Sequence, residues 1–316
     1  MLPRRRLLPF RYVAVLPDGS GEYLQPEDAA SDYFLRELGP HNALTVRRRI
    51  RFDGEWFWYT TRRTYVPASE VVPVRASSFA GQRLSGRWRL PLAFVHGPRA
   101  AVYRRPGRRG RGWVRHYERF VVLQAERRGR ASWLRIGPDR WLRGRDVRVA
   151  ESSPPPAGIG ATDRWVDVDV ARQVLVAYRG STPWYATLVS TGKHGQTPRG
   201  TFRVWAKIAA TDMRSDPHAS HPYLLWDVPW TVFFKRSFAL HGTYWHDRFG
   251  HRKSAGCVNL SPRDARVIFD FVSPALPPGW WAVLPKASEH PSVVRVRDSR
   301  HRARRRPGAR FPRRRR

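Results

Sequence analysis

One cysteine, Cys257, stands in 316 residues. A single thiol excludes a disulfide framework within the chain. Acidic residues are also scarce. Asp and Glu number 25 against 59 Lys and Arg, for a formal net charge of +34 and a pI of about 11.6. No apolar run reaches the roughly eighteen residues that a membrane-spanning helix needs. Metal-ligand spacings are missing too: there is no Cys-x-x-Cys and no His-Glu-x-x-His. No zinc site is therefore expected, and no metal or organic cofactor. The first residues, Met-Leu-Pro-Arg-Arg-Arg-Leu-Leu-Pro-Phe, are basic but carry no apolar core of a signal peptide.

The excess of positive charge is nearly all arginine. Such a field favours polyanions: nucleic acid, anionic lipid or acidic wall polymers. It also arises as a solvated surface of arginine-rich composition. No zinc finger, helix-turn-helix or aromatic-basic ribonucleoprotein signature accompanies it. Residues 287–316 are arginine-dominated and broken by proline. They are expected to form a disordered tail that contacts an anionic polymer through charge alone.

The densest chemistry lies between His241 and Leu260. An apolar run, residues 231–240, ends at His241-Gly242. A glycine-containing loop follows, then Ser254-Ala-Gly-Cys257-Val-Asn259. Ser261-Pro-Arg-Asp264 next supplies a cap, a proline at the first helical position and a carboxylate at the third. Ala265, Ile268, Phe269 and Val272 repeat at helical spacing, and Ser273-Pro274 stops them. The predicted order is strand, histidine, loop, cysteine, helix. A thiol attacks as the thiolate, and a free cysteine with a pKa of about 8.5 is mostly protonated at neutral pH. A nearby imidazole takes that proton, which makes a Cys/His pair an acyl-transfer device. A lone cysteine is also a common small, buried apolar residue. His246 and His251, in the intervening loop, are the other imidazoles within reach in sequence.

These residues resemble the active-site motif of the L,D-transpeptidase (YkuD-type) catalytic domain. His241, Ser254, Gly256, Cys257, Val258 and Asn259 match that motif, and Ala255 replaces its usual second histidine. Upstream, Ser190-Thr-Gly192 and Thr197-Pro-Arg-Gly-Thr-Phe202 also match. The resemblance covers residues from about 163 to 285. It implies a cell-envelope or periplasmic enzyme that remodels peptidoglycan, with Cys257 as nucleophile and His241 as base. Stem peptides would be its partners, and it would act as a monomer without cofactor. Backbone N–H groups of the turn at Ser254, Ala255, Gly256 and Cys257 would hold the oxyanion. Gly242 and Asn259 would line the substrate or hold the turn. The competing expectation is a catalytically inactive basic binding protein.

The fold expected is mainly β. Residues 1–40 form an N-terminal segment, with a short helix read between Gln25 and Gly39. Residues 41–150 read as one or two small β modules, loosely similar to Src-homology-3-like barrels: a tryptophan strand, a turn, a short strand and a valine strand recur in both halves. Residues 151–162 are a proline-rich linker that few contacts should cross. Residues 163–286 form the β-rich catalytic domain.

Overall fold

The computed structural model describes residues 8–216, 218 and 222–300. The basic start of the chain and residues 301–316 of the proposed tail lie outside these. Strands account for 48% of the structure and helices for 8%, which places the protein in the mainly β class expected. An α-helix runs over Pro262–Phe271, where the cap and the apolar spacing put it.

Two sheets form the half of the molecule that the sequence reading makes catalytic. One has the order Gly200–Arg203, Val293–Arg297, Arg164–Asp169, Val174–Arg179, Thr182–Leu188 and Gln82–Arg83. Facing it are Ala206–Arg214, Leu224–Lys235, Phe238–Gly242 and Val258–Leu260. Between them lie Val166, Val168, Leu175 and Ala177 from the first sheet and Val232, Phe234, Leu240 and Val258 from the second. The helix closes this core with Ala265, Ile268, Phe269 and Val272, the four residues its sequence spacing selects.

Val293–Arg297 corrects the expected tail. It is not disordered but lies between Arg164–Asp169, which it pairs in parallel, and Gly200–Arg203, which it pairs antiparallel. Val293, Val294 and Val296 are buried. Arg295 and Arg297 both pair with the buried Asp167, at 2.7 and 2.8 Å. Two guanidiniums there share a carboxylate that water does not reach.

The N-terminal part departs further from the sequence reading. Residues 11–15 belong to no separate segment. Arg11–Val15 lies between Ala43–Phe52 and Val71–Pro73. The helix read over residues 25–39 shrinks to one 3-10 stretch, Pro26–Ser31. Asp32 then turns left-handed, and Arg36–Leu38 pairs as a strand with Ser20–Glu22. Phe34 and Leu35 are exposed, whereas Leu38 is fully buried. The sheet of residues 11–73 continues into the catalytic one through a single parallel pair, Leu225 with Ala43. Trp226 fills the core made by Val13, Leu44, Val46, Val66 and Val71.

Residues 92–150 form a three-stranded and a five-stranded antiparallel sheet around Val95, Val102, Val114, Leu134, Leu142 and Val147. No strand pairing closes a barrel among the described residues. Trp133 and Trp141 are core residues. The linker does not isolate this part. Phe79, Leu92, Phe94 and Ala150 share one buried cluster with Trp165, Val174, Tyr178 and Phe249 of the catalytic half. Within the linker, Ser153 is buried and its N–H binds the Tyr178 hydroxyl at 3.0 Å.

Candidate active site

The parallel pairing of Phe238–Gly242 with Val258–Leu260 sets His241 opposite Asn259 and Leu240 opposite Val258. Side chains alternate faces along a strand, and directly paired residues share a face. His241 and Asn259 therefore stand on one side of the sheet, and Cys257, immediately before the strand of Asn259, sets its sulfur against Ser237 and Ala239 on the chain that leads to His241. The apolar alternates Leu240, Val258 and Leu260 point into the core on the other side. Sixteen residues separate histidine and cysteine in the chain, and one sheet register brings them back together.

The turn before Cys257 is held from several sides. Ser254 Oγ donates to the Cys257 carbonyl at 2.5 Å and accepts from the Gly256 N–H at 3.1 Å. Thr197 Oγ1 donates to the Gly256 carbonyl and accepts from the Gly192 N–H, both at 2.8 Å. The Lys193 N–H binds the Ser254 carbonyl at 2.9 Å, and Ser190 pairs with Asn259. The two upstream motifs thus fasten the Cys257 turn. Gly256 has φ of +145°, and a Cβ there would come within 2.4 Å of the Phe238 ring. Only glycine fits. Ala255 is exposed, and its methyl group carries none of the contacts that shape the turn.

Cys257 is half-buried, with Sγ 3.8 Å from the Ser237 carbonyl. Burial pushes its thiol up, and an N–H from Ala239 partly offsets this. His241 is 2% exposed, and burial holds its pKa down at about 4. Its Nδ1 lies 3.3 Å from the Gly242 carbonyl. A carbonyl can only accept, so Nδ1 carries the proton and Nε2 keeps its lone pair. The ring stacks on Trp245, with centroids 5.8 Å apart. At neutral pH the pair is thus a thiol and a neutral imidazole whose free nitrogen can accept a proton.

Three residues of this surround were not singled out for these roles in the sequence. Trp245 orients His241. His246, named only as a nearby imidazole, is buried enough that its pKa also falls to about 4, and its Nε2 lies 3.1 Å from Asn259 Nδ2. Tyr223 lies within electrostatic reach of Cys257, and burial first, then that charge, push its phenol up. The sequence signals for them are an aromatic four residues after His241, the imidazole next to it, and the proline-flanked loop that ends at Tyr223.

The loop from His241 to Cys257 is tied to the preceding β modules. Asp247 accepts from Ser77 at 2.6 Å and from Tyr117 at 2.8 Å. Arg148 donates to the Gly250 carbonyl at 2.9 Å, and His96 Nδ1 lies 3.1 Å from His251 Nε2. His194, His96 and His251 do not join the Cys257 site. No cluster of three or more His, Cys, Asp or Glu side chains able to hold a metal occurs among the described residues.

Residues 163–284 match the family model of the L,D-transpeptidase catalytic domain, YkuD. No curated protein matches the chain. Among solved structures it is similar to an L,D-transpeptidase from Stackebrandtia nassauensis, at 21% identity over 46% of this chain and 58% of that one, with a TM-score of 0.31. It is also similar to one from Mycobacterium smegmatis, at 18% identity over 53% and 66%, with a TM-score of 0.33. The catalytic domain of the Enterococcus faecium enzyme aligns at 21% identity over 43% of this chain and 97% of that domain, with a TM-score of 0.33. The chain thus spans under two thirds of the Stackebrandtia protein. At TM-scores this low the superpositions set neither substrate nor mechanism. No helix among the described residues is long and apolar enough to cross a membrane.

Proposed function

We propose that this protein is a peptidoglycan L,D-transpeptidase acting in the cell envelope, with Cys257 as nucleophile and His241 as base. The supporting observation is the strand register that returns the residue after Cys257 beside the strand of His241, with the proton of His241 on Nδ1 and Nε2 left to accept one. The Cys257 sulfur attacks the carbonyl of the third residue of a donor stem tetrapeptide while its proton passes to His241 Nε2. The C–N bond to the terminal D-alanine then breaks, and His241 returns the proton to the leaving amine. An S–C thioester remains. An acceptor amine attacks it, gives its proton to His241, and displaces the sulfur, which regains a proton. The Ser254–Cys257 turn offers backbone N–H groups to the oxyanion. The Gly256 N–H already serves Ser254, so those of Ala255 and Cys257 are the donors assigned here. Asn259, held by His246, faces the substrate from the same side.

Intact-mass measurement after incubation with stem tetrapeptide, and separately with a carbapenem, tests this reading. Loss of D-alanine with a mass adduct on Cys257 is the expected result. An unmodified thiol under both conditions would refute it. Ala255→His belongs beside the parent. Because Ala255 acts through its backbone, the two are expected to acylate at rates within about threefold. An inert parent rescued by histidine would show that the imidazole was required.

A further inference from the structure

The hairpin of Ala43–Phe52 and Glu55–Thr60 carries a surface that the acyl-transfer site does not use. Its turn, Asp53-Gly54, has positive φ at both residues, the type I′ geometry of a two-residue hairpin. Arg49 pairs with Trp58, Ile50 with Phe57, and Arg51 with Trp56. Directly paired residues share a face. Arg49, Arg51, Trp56 and Trp58 therefore lie on one face and Ile50 and Phe57 on the other. Phe57 is 4% exposed, whereas Trp56 is 45% exposed. The face of Arg49 and Arg51 thus interleaves two guanidiniums with two indoles, Trp56 in the open and Trp58 half-buried at its inner end, against the core of Val13, Val46, Val66 and Trp226. Arg49 Cζ sits 5.0 Å from the Trp56 ring and 5.6 Å from the Trp58 ring. Among the described residues neither Arg49 nor Arg51 enters an ion pair, and the same holds for Arg47 and Arg48.

At the base of the hairpin is a cavity of about 730 Å³ whose lining includes Arg11, Arg47, Thr61 and Phe10. Arg62, also at its wall, is already neutralised by a two-pronged bond to Asp212. Arg11 and Arg47 are not paired among the described residues. Arg47 belongs to the strand that carries Arg49 and Arg51, so basic groups run from the cavity along the hairpin. In this sheet the strand pairs with Leu224–Lys235, which in turn pairs with the strand of His241.

Two simpler roles leave part of this unexplained. Arginines on an edge strand guard against pairing with another chain, but that needs charge and not exposed tryptophan. A solubilising field needs no indoles either. Indole faces accept the C–H faces of sugar rings, and guanidiniums donate to carboxylate or phosphate oxygens. We propose that the Arg49, Arg51, Trp56 and Trp58 face, with the adjoining cavity at Arg11 and Arg47, binds an anionic glycan strand. The choice of glycan over nucleic acid rests on the reading of Cys257 as a wall transpeptidase. The existence of a polyanion surface does not.

The test uses the full chain with three probes: polygalacturonate oligomers, their methyl esters, and a twenty-nucleotide oligothymidylate. The acid form is expected to bind and the uncharged ester is not. Trp56→Ala with Trp58→Ala keeps the net charge yet should weaken binding at least tenfold. Arg49→Gln with Arg51→Gln should do the same, whereas Arg108→Gln with Arg130→Gln, exposed arginines of another module, should change it less than twofold. Circular dichroism checks folding; if the tryptophan pair unfolds, the two arginine pairs decide. Parental affinity in the tryptophan variant, or equal losses in both arginine variants, would reduce the surface to a diffuse field and overturn the proposal. Tighter binding of oligothymidylate with the same losses would overturn the choice of glycan. Carbapenem acylation is read in parallel. If glycan binding follows the expected pattern while Cys257 stays unacylated, the surface stands and the catalytic reading fails.

Discussion

Burial of Cys257 and His241 decides how the pair can work. A charged pair would need a depressed thiol and a raised imidazole, and the site does the opposite to both. On the proposed reading, proton transfer accompanies attack instead of preceding it. His241 accepts a proton only while neutral, so acylation should persist below the ordinary histidine range and fall as pH drops through about 4. A pH–rate profile of carbapenem acylation between pH 3.5 and 8, on the order of the window spanned by the two imidazole states, checks this. An acid limb near 6.5, the usual histidine value, would show that the ring is hydrated in solution. Replacement of the residues gives a second measure. Cys257→Ala should abolish acylation and transfer. His241→Ala should cost about 100- to 10,000-fold. The double variant should be no worse than Cys257→Ala alone, because both serve one step. The residue types and their order were legible in the sequence, since Cys257 is unique and His241 ends an apolar run. What aims the imidazole was not. Trp245, His246 and the Gly242 carbonyl act through register and loop path, and neither follows from composition.

At the scale of elements, the helix Pro262–Phe271 shows a sequence signal that says less than it carries. Ser261 caps it by accepting from the Asp264 N–H at 3.1 Å, as the Ser-Pro-x-Asp pattern implies. The same pattern marks Asp264 as a first-turn acid, suited by the helix dipole to solvent. Instead Asp264 is fully buried. Its carboxylate accepts from the Tyr185 hydroxyl at 2.6 Å, the Gly81 N–H at 2.7 Å and the Thr187 hydroxyl at 2.5 Å. It joins the helix, a central strand and the segment entering the catalytic half. Asp264→Ala would leave three buried donors without partners, at about 1–3 kcal/mol each. An overall loss of at least about 3 kcal/mol is expected on that basis, read as a lower urea midpoint with unchanged slope. A loss below 1 kcal/mol, about the cost of one exposed cap, would mean that the donors find other acceptors. The helix was readable from local signals because caps and spacing are local. The strands of residues 11–15 and 293–297 were not assigned, although Val-Val-Arg-Val-Arg alternates at period two. Arginine-rich composition masked an alternation whose arginines are bound, not solvated.

For the whole molecule, the proline-rich stretch at residues 151–162 is a covalent link and not a boundary between independent bodies. Ser153 and Pro154 both bind Arg295, so even the linker is anchored to the sheet. A fragment of residues 161–288 lacks the strand Val293–Arg297 and bares Trp165, Val174 and Tyr178, which Phe79, Leu92 and Phe94 cover. It also frees the loop from His241 to Cys257 from Ser77, Tyr117 and Arg148. That fragment should fail to give a cooperative thermal transition or a carbapenem adduct, whereas residues 8–300 should give both. Adduct formation by the short fragment at the rate of the full chain would show that the modules are dispensable. Sequence alone cannot show this, because apolar residues on either side of a proline run do not reveal that they share one core.

The junction of Leu225 with Ala43 has a consequence for how the chain is made. Tyr12 binds the Asp227 carbonyl across 215 residues, and Trp226 completes a core whose other members lie between Val13 and Val71. The strand of Tyr12 therefore waits for a partner made 215 residues later. Val293–Arg297, the last of the described strands, inserts between two strands made well before it. Such long-range closure makes folding slow, on the order of milliseconds to seconds for chains dominated by distant contacts. The nascent polypeptide should stay open and protease-sensitive until residue 297 has emerged, and the Cys257 thiol should gain its shaped surroundings only then.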